Sequence, residues 1–543
     1  MNKVKDNAND VEQQFDDKKF ADESYVGSKY SYYVLTVLLL VYIFNFVDRQ
    51  ILSILAEDIK ADLLITDAEL GILYGTVFAV FYALFGIPLG RLADVWMRKS
   101  LIATGLFVWS VFTALSGTAR SFYSLAGFRV GVGVGEASAS PAAFSMLSDY
   151  FLPKQRATAM AVYSSGVYIG GGIGIAIGGV VLEGWHNAFP DPSLAPFGLK
   201  GWQFAFMLVG IPGILMSLWV RTLKEPIRGM SEGVAPRVEP RPFALAFDEL
   251  MGILPICNMV TLKKRGATTK VLLINLIVAL ILVSTGWGLY QWLGSAIQWI
   301  ALGIGIHSAF TWCQSLALKS PEMFEIMFES KTLVLICIAF PCIGFVGYGG
   351  NFFSVPYLLR QHDVSHAEIG TIIGLTAAVA AWLGVSFGGI LADKLRQKFE
   401  HGRLMVAFVS MLLAVPCGFA VLFAEDMTTV YIFNFFYMFF SPMYIGPATS
   451  TVNDLVLPHM RATVSALYLM MMTFIGLALG PYVMGVTSAL IEAGGKDSAT
   501  ALREGILWGY VMLIVAGVLI LTACRTIQGD HARIKAIAAA QTI

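Results

Sequence analysis

The sequence predicts an all-α polytopic membrane protein, with two six-helix halves, a two-helix insertion between them, and fourteen spans in all. Three observations predict it. Hydrophobic residues make up 57% of the 543 and charged residues only 14%, a balance suited to a chain solvated mostly by lipid. Apolar runs long enough to cross a bilayer recur along the whole chain. Six runs in the first half and six in the last also share matching blocks. Asp149-Tyr-Phe-Leu-Pro-Lys-Gln-Arg-Ala-Thr158 matches Asp454-Leu-Val-Leu-Pro-His-Met-Arg-Ala-Thr463 at an offset of 305, and Gly90-Arg-Leu-Ala-Asp94 matches Gly389-Ile-Leu-Ala-Asp393 at 299.

Residues 1–30 are polar and of mixed charge, without the pattern of a signal peptide, and read as a disordered tail. The first half, 31–228, holds runs near 32–56, 68–90, 99–117, 123–150, 157–183 and 202–222. The central segment, 229–330, begins with an amphipathic stretch at 242–262 followed by Lys263-Lys-Arg265. That stretch fits a helix lying on the inner leaflet and fits a plain linker helix nearly as well. Two further runs, near 270–293 and 295–318, are joined by an uncharged turn at Gly294. The second half, 331–526, holds runs near 332–358, 368–391, 403–423, 429–452, 463–491 and 505–525, and 527–543 is a tail.

Charge placement orients the chain. With both termini in the cytoplasm, 29 of the 37 Lys and Arg residues fall in cytoplasmic segments, 6 in external loops and 2 within spans, as the positive-inside rule requires. The first external loop is acidic instead, with Glu57, Asp58, Asp62, Asp67 and Glu69. A plasma (inner) membrane, crossed many times with both termini cytoplasmic, is the expected location.

Several chemistries find no support. The six cysteines make no CxxC pair, so neither a metal site nor a disulfide framework is expected. There is no HExxH and no GxSxG, and no enzyme activity or cofactor is expected. Net charge is zero, which suggests no nucleic-acid partner. Two halves related by duplication instead form a transporter architecture, with the ligand site between them near mid-membrane.

The residues that stand out are charges within spans. Phe128 to Pro141 reads FRVGVGVGEASASP, and Arg129, Gly133 and Glu136 share one helical face. Gly131 and Gly135 permit close approach of another helix. Asp48 and Arg49 stand within span 1. At about 1.5 Å per residue, Asp48 lies roughly 12 Å from the outer end of span 1, Arg129 roughly 8–9 Å from that of span 4 and Glu136 roughly 20 Å. Asp48 and Arg49 therefore fall between Arg129 and Glu136 in depth. A structural ion pair pinning two helices is the bland alternative; intramembrane charge more often marks function.

Gly90-Arg-Leu-Ala-Asp-Val-Trp-Met-Arg-Lys-Ser100 resembles the signature of the major facilitator superfamily between spans 2 and 3, with a weaker second copy at 389–394. Within it, Asn45-Phe-Val-Asp-Arg49 and Arg129-Val-Gly-Val-Gly-Val-Gly-Glu-Ala-Ser138 are similar to the Spinster family. That resemblance implies a secondary transporter, proton-coupled, moving an amphipathic anion such as a lysophospholipid, with spans 1 and 4 both lining its cavity; at these depths, Asp48 with Arg129 and Arg49 with Glu136 are then the pairings expected first. Related symporters of small organic anions (sugar acids, aromatic acids) carry the same Asp-Arg pair, and they remain the alternative. It also implies a gate built on Gly90, Asp94, Arg98, Asp149 and Arg156, echoed by Asp393, Asp454 and Arg461, with Asp94 and Arg98 pairing with Asp149 and capping the start of span 11.

Substrate contacts are assigned to Arg49, Arg129 and Asn45, because Arg suits bidentate contact with phosphate or carboxylate. The duplication adds Asn351, Ser354, Asn434 and Ser441, which stand opposite Asn45, Asp48, Arg129 and Glu136 in the second half. Proton coupling is assigned first to Glu136, the deeper carboxylate, and then to Asp48. Aromatic residues crowd span 7 (Phe345, Tyr348, Phe352, Phe353, Tyr357) and span 10 (Tyr431 to Tyr444), which together offer an apolar wall opposite the charges. Protons, a small molecule or lipid, and the bilayer are the expected partners of a monomer.

Overall fold

In hydrocarbon a backbone satisfies its polar groups only within a helix or a closed barrel, so each apolar run is bound to become a helix. The computed structural model describes residues 26–228, 240–457 and 460–541, and among these there is no strand. Most of the polar tail at 1–30 and the segment 229–239 lie outside the described residues.

Among the described residues, twelve helices are long and apolar enough to cross a membrane. In the first half these are Lys29–Ile54, Asp67–Val95, Arg98–Ser116, Thr158–Ala188 and Gly201–Arg221, which are spans 1, 2, 3, 5 and 6. In the second half Lys331–Gln361, His366–Arg396, Gly402–Leu422, Thr463–Ala493 and Ser498–Ile537 are spans 7, 8, 9, 11 and 12. Thr269–Leu293 and Ala296–Lys319 are the insertion helices.

The expected count of fourteen is corrected in one respect, because spans 4 and 10 are not continuous helices. Span 4 is Phe122–Glu136 and then Ala139–Tyr150, with Pro141 unable to donate to the turn before it. Span 10 is Met427–Phe440, a 3-10 turn at Ser441–Tyr444, and Ile445–Asp454, with Pro442 and Pro447 at the breaks. The pieces of each pack along the same two neighbours, spans 2 and 3 or spans 8 and 9.

The stretch at 242–262 does not form one helix lying flat. Pro242–Ile253 and Cys257–Lys264 meet at a 109° bend at Leu254-Pro255-Ile256. The first limb starts with Phe243 against Trp96 and ends with Ile253 packed on Val80 and Leu84 of span 2. The second returns, since Arg265 Nη2 comes within 3.4 Å of Glu249 Oε2. The pair is a bent helical hairpin, whose proline forbids a straight helix through the bend.

Polar contacts between the halves gather at the end holding the loops near 55–66, 189–200 and 494–497, called here the acidic end. Arg360 of span 7 donates to Asp67 at 2.7 and 2.8 Å and to Glu57 at 2.8 to 3.1 Å. Ser488 of span 11 donates to Asp67 at 2.7 Å, and Lys60 reaches Asp67 at 2.8 Å. Backbones touch there as well. A Cβ at Gly179 would come within 2.2 Å of the His366 carbonyl oxygen, and one at Gly172 within 2.3 Å of that of Gly374. Spans 2, 8 and 11 each carry a π-helical segment in this zone, at Ile72–Thr76, Ile369–Gly374 and Met472–Leu479.

Candidate functional site

Three glycines set the geometry of span 4. A Cβ at Gly133 would meet the Phe78 carbonyl oxygen at 2.6 Å, one at Gly135 the Trp109 backbone nitrogen at 2.7 Å, and one at Gly131 the Phe112 ring at 2.3 Å. Their absence lets span 4 lie directly on spans 2 and 3 and carries Arg129 and Glu136 inward. All four charges of the cluster, Asp48, Arg49, Arg129 and Glu136, are buried.

Arg49 Nη2 donates to Glu136 Oε2 at 2.5 Å, as the depth argument expects. The Arg49 guanidinium also lies over Phe78 at 4.3 Å, Phe46 at 4.7 Å and Tyr82 at 5.3 Å, a setting in which cation–π attraction stabilises the desolvated charge. Phe78 serves Arg129 too, at 5.5 Å. The expected pairing of Asp48 with Arg129 takes a different form. Arg129 Nη1 donates at 3.3 Å to the backbone carbonyl of Asp48, and no ion pair to its carboxylate forms within 4.0 Å.

The cluster is left partly open. Asp48 Oδ1, Arg49 Nε, Arg129 Nε and Nη2, and Glu136 Oε1 are buried without a hydrogen-bond partner. More than about 90% of buried polar groups in folded proteins are paired, so five open charged atoms in one cluster require a reason. Trp109 and Thr113 stand beside the Asp48 carboxyl, Asn45 beside Glu136, and Tyr348 of the second half near Arg49.

The duplicated positions do not join this cluster. Ser354 and Asn434 line a separate small cavity with Tyr357, Tyr437 and Tyr510, among spans 7, 9, 10 and 12. Asn351 is half-buried with its Oδ1 unpartnered, and Ser441 opens the 3-10 turn of span 10. The aromatic wall divides as well. Phe345, Phe352, Phe353 and Tyr357 are core residues, Phe433 and Phe436 point outward, and Tyr348 alone of these is drawn toward Arg49.

At the opposite end of the spans, called here the basic end, Arg98 is fully buried and forms an ion pair with Asp149. Arg98 also donates to Glu225 at 2.9 Å, to the Ser145 carbonyl at 3.0 Å and to that of Pro226 at 2.8 Å. Asp94 is exposed beside Arg91 at 3.5 Å, and Gly90 is half-buried with Pro141 nearby. Arg156 and Arg461 stand at the starts of spans 5 and 11. In the second half Arg403 bridges Asp454 at 2.5 Å and Asp393 at 3.0 Å. Arg403 lies 305 positions after Arg98, so the repeat offset could have found it. The other residues that sequence reasoning left out are Phe78 and Tyr82, four apart on span 2, and Arg360, whose acidic partners were visible only as loop charge.

The family model of the Major Facilitator Superfamily matches residues 38–481 and 336–536. The chain belongs to the major facilitator superfamily. An MFS-type efflux pump of Mycolicibacterium smegmatis is 25% identical over 462 residues, 85% of each chain. The hexuronate transporter of Bacillus subtilis is 30% identical over 211 residues, 38% of this chain and 46% of that one. Among solved structures, a bacterial homologue of the human lysosomal transporter Spinster, inward-facing and unoccupied, is 27% identical with a TM-score of 0.68, covering 92% of this chain and 98% of that one. This major facilitator chain resembles the Spinster family over nearly its whole length, with polar contacts across the acidic end joining its two halves.

Proposed function

We propose that the protein is a proton-coupled secondary transporter of an amphipathic anion, working by alternating access. The observation that carries this reading is the unclosed charge cluster. Arg129 keeps two buried guanidinium nitrogens without partners, next to an Arg49–Glu136 pair seated on aromatic faces. An anionic head group held by Arg129 and Arg49 would supply the missing acceptors, since charge-assisted bonds to Arg are the strong ones. Once Arg49 turns to the ligand, Glu136 loses its cation and takes a proton. That exchange links proton movement to substrate movement, with Asp48 next in line.

Asn45 stands beside Glu136 and completes the head-group site, while Tyr82 and Tyr348 accept the start of an apolar tail. The excess of Lys and Arg at the basic end puts that end in the cytoplasm. The conformation is then closed outside by Arg360, Asp67 and Glu57. Asp94, Arg98, Asp149 and Arg156 form the inner gate, with Asp393, Asp454 and Arg461 as its copy.

The second reading, a symporter of small organic anions, is favoured by the likeness to the hexuronate transporter. The same cluster would take a carboxylate. Thermal-shift measurements with lysophospholipids and with sugar acids separate the two. Stabilisation by lysophospholipids that is lost in Arg129→Ala supports the first reading, and stabilisation by sugar acids alone overturns it in favour of the second.

A further inference from the structure

The insertion builds a cavity of its own, away from the charge cluster. It has a volume of about 580 Å³ and lies between the two insertion helices and the returning limb of the bent hairpin. That is within the range of roughly 300–1,000 Å³ found for small-molecule sites. Its walls are apolar and outward-facing, with Val283 69%, Trp287 64% and Ile300 62% exposed, so its mouth opens where lipid chains would lie.

Its floor is polar and buried. Asn258, Asn275 and His307 line it, all more than nine-tenths buried. Thr311 ties the two amides down, accepting from Asn258 Nδ2 at 2.7 Å and from Asn275 Nδ2 at 2.9 Å. With its nitrogen used in this way, Asn258 Oδ1 is left buried and unpartnered. Both ring nitrogens of His307 are unpartnered too; the Asn275 main chain lies beside the ring without closing a bond of normal geometry. Three open polar atoms in the floor of an apolar groove amount to at least one donor and two acceptor sites. No Asp, Glu, Lys or Arg is among the lining residues described. A bare charge buried there would have no counter-ion, whereas an uncharged hydroxyl head would satisfy all three atoms.

We propose that this cavity binds a single-chain membrane lipid with an uncharged, hydroxyl-bearing head, of the monoacylglycerol kind. The hydroxyls meet His307 and Asn258, and the chain runs out between Val283, Trp287 and Ile300. The ligand packs against the second insertion helix. That helix touches both halves, through Thr76 with Gln298 on one side and Trp299 with the Tyr482 ring on the other. Occupancy is thereby felt at the seam between spans 2 and 11.

The test is photolabelling of the full-length protein in nanodiscs with a diazirine-bearing monoacylglycerol, followed by peptide mapping. Labelling within 269–319 is expected. Unlabelled monoacylglycerol should compete it away, while lysophosphatidate of the same chain length, at the same concentration, should reduce it less than twofold. Gly303 lines the cavity and has nothing within 4 Å of its Cβ direction, so Gly303→Leu fills the space without a backbone clash. That variant should lose at least fivefold in labelling. Labelling that maps elsewhere, equal competition by the phosphate-bearing lipid, or unchanged labelling of Gly303→Leu overturns the proposal. The competition arm needs no variant, so a misfolded mutant does not protect the idea.

Discussion

Arg49 and Glu136, 87 positions apart in sequence, meet at 2.5 Å between Nη2 and Oε2, while their neighbours Asp48 and Arg129 touch only through a backbone carbonyl. One pair is closed and the other is open. A purely architectural cluster would gain from closing both, because an unpaired buried charge costs several kcal/mol, on the order of 3–5. The open pair leaves Asp48 Oδ1 and Arg129 Nε and Nη2 without partners, and these are the atoms that the proposed head group would meet.

Glu136→Gln should separate coupling from binding. The amide can still accept a hydrogen bond from Arg49 but cannot change charge. Counterflow in proteoliposomes should persist, while accumulation under an imposed pH gradient should vanish. A variant that still concentrates substrate moves the proton carrier to Asp48.

Arg129→Ala should weaken ligand binding about 10- to 100-fold, the loss expected for one or two charge-assisted hydrogen bonds worth about 1.5–3 kcal/mol. Arg129→Lys should not restore it, since an ammonium lacks the planar fork. Calorimetric titration of both variants decides this, and wild-type affinity in the lysine variant would count against bidentate recognition.

Arg360→Ala should loosen the acidic end. It leaves the fully buried Asp67 carboxylate with Lys60 and Ser488 as its remaining partners, so the cost should stay below the about 3–5 kcal/mol of a buried pair broken outright. Spin labels at the exposed Leu194 and Leu490 should report a longer, broader distance distribution in the variant. An unchanged distribution would mean that helix packing alone keeps that end shut.

Gly179→Val and Gly184→Ala should behave in opposite ways. The first drives a side chain into the His366 carbonyl, and the second meets nothing within 4 Å. Uptake should fall more than tenfold in the first and stay within a factor of two in the second. Similar uptake by both would show that spans 5 and 8 have slack at this contact.

Arg98→Ala and Asp94→Asn should also diverge. Arg98 is buried with four partners, and its loss should lower the melting temperature sharply, in line with about 3–5 kcal/mol for a broken buried pair. Asp94 is exposed, and its pair with Arg91 is worth under about 1 kcal/mol. Asp94→Asn should therefore keep its melting temperature and lose turnover, if the gate reading holds. Unchanged turnover returns Asp94 to ordinary surface charge.

The sequence by itself determined the helical class, the duplication and the depth of Arg49 between Arg129 and Glu136. Length in apolar runs and rise per residue are local quantities, and lipid leaves a backbone no alternative to a helix. Even Arg403 was legible at the repeat offset. What only the tertiary structure decided depended on which face each helix turns to which neighbour. Glycines 166, 170, 174 and 178 of span 5 form one stripe at helical spacing in the sequence, but only the structure shows that this stripe packs on span 1 while Gly172 and Gly179, on another face, pack on span 8. Ser354 and Asn434, matched to Asp48 and Arg129 by the repeat, turn instead into a cavity inside their own half. Arg360 finds Asp67 across 293 residues, and the hairpin at 242–264 folds back on span 2. Rotation about a helix axis is set by packing against partners distant in sequence, and no local period encodes it.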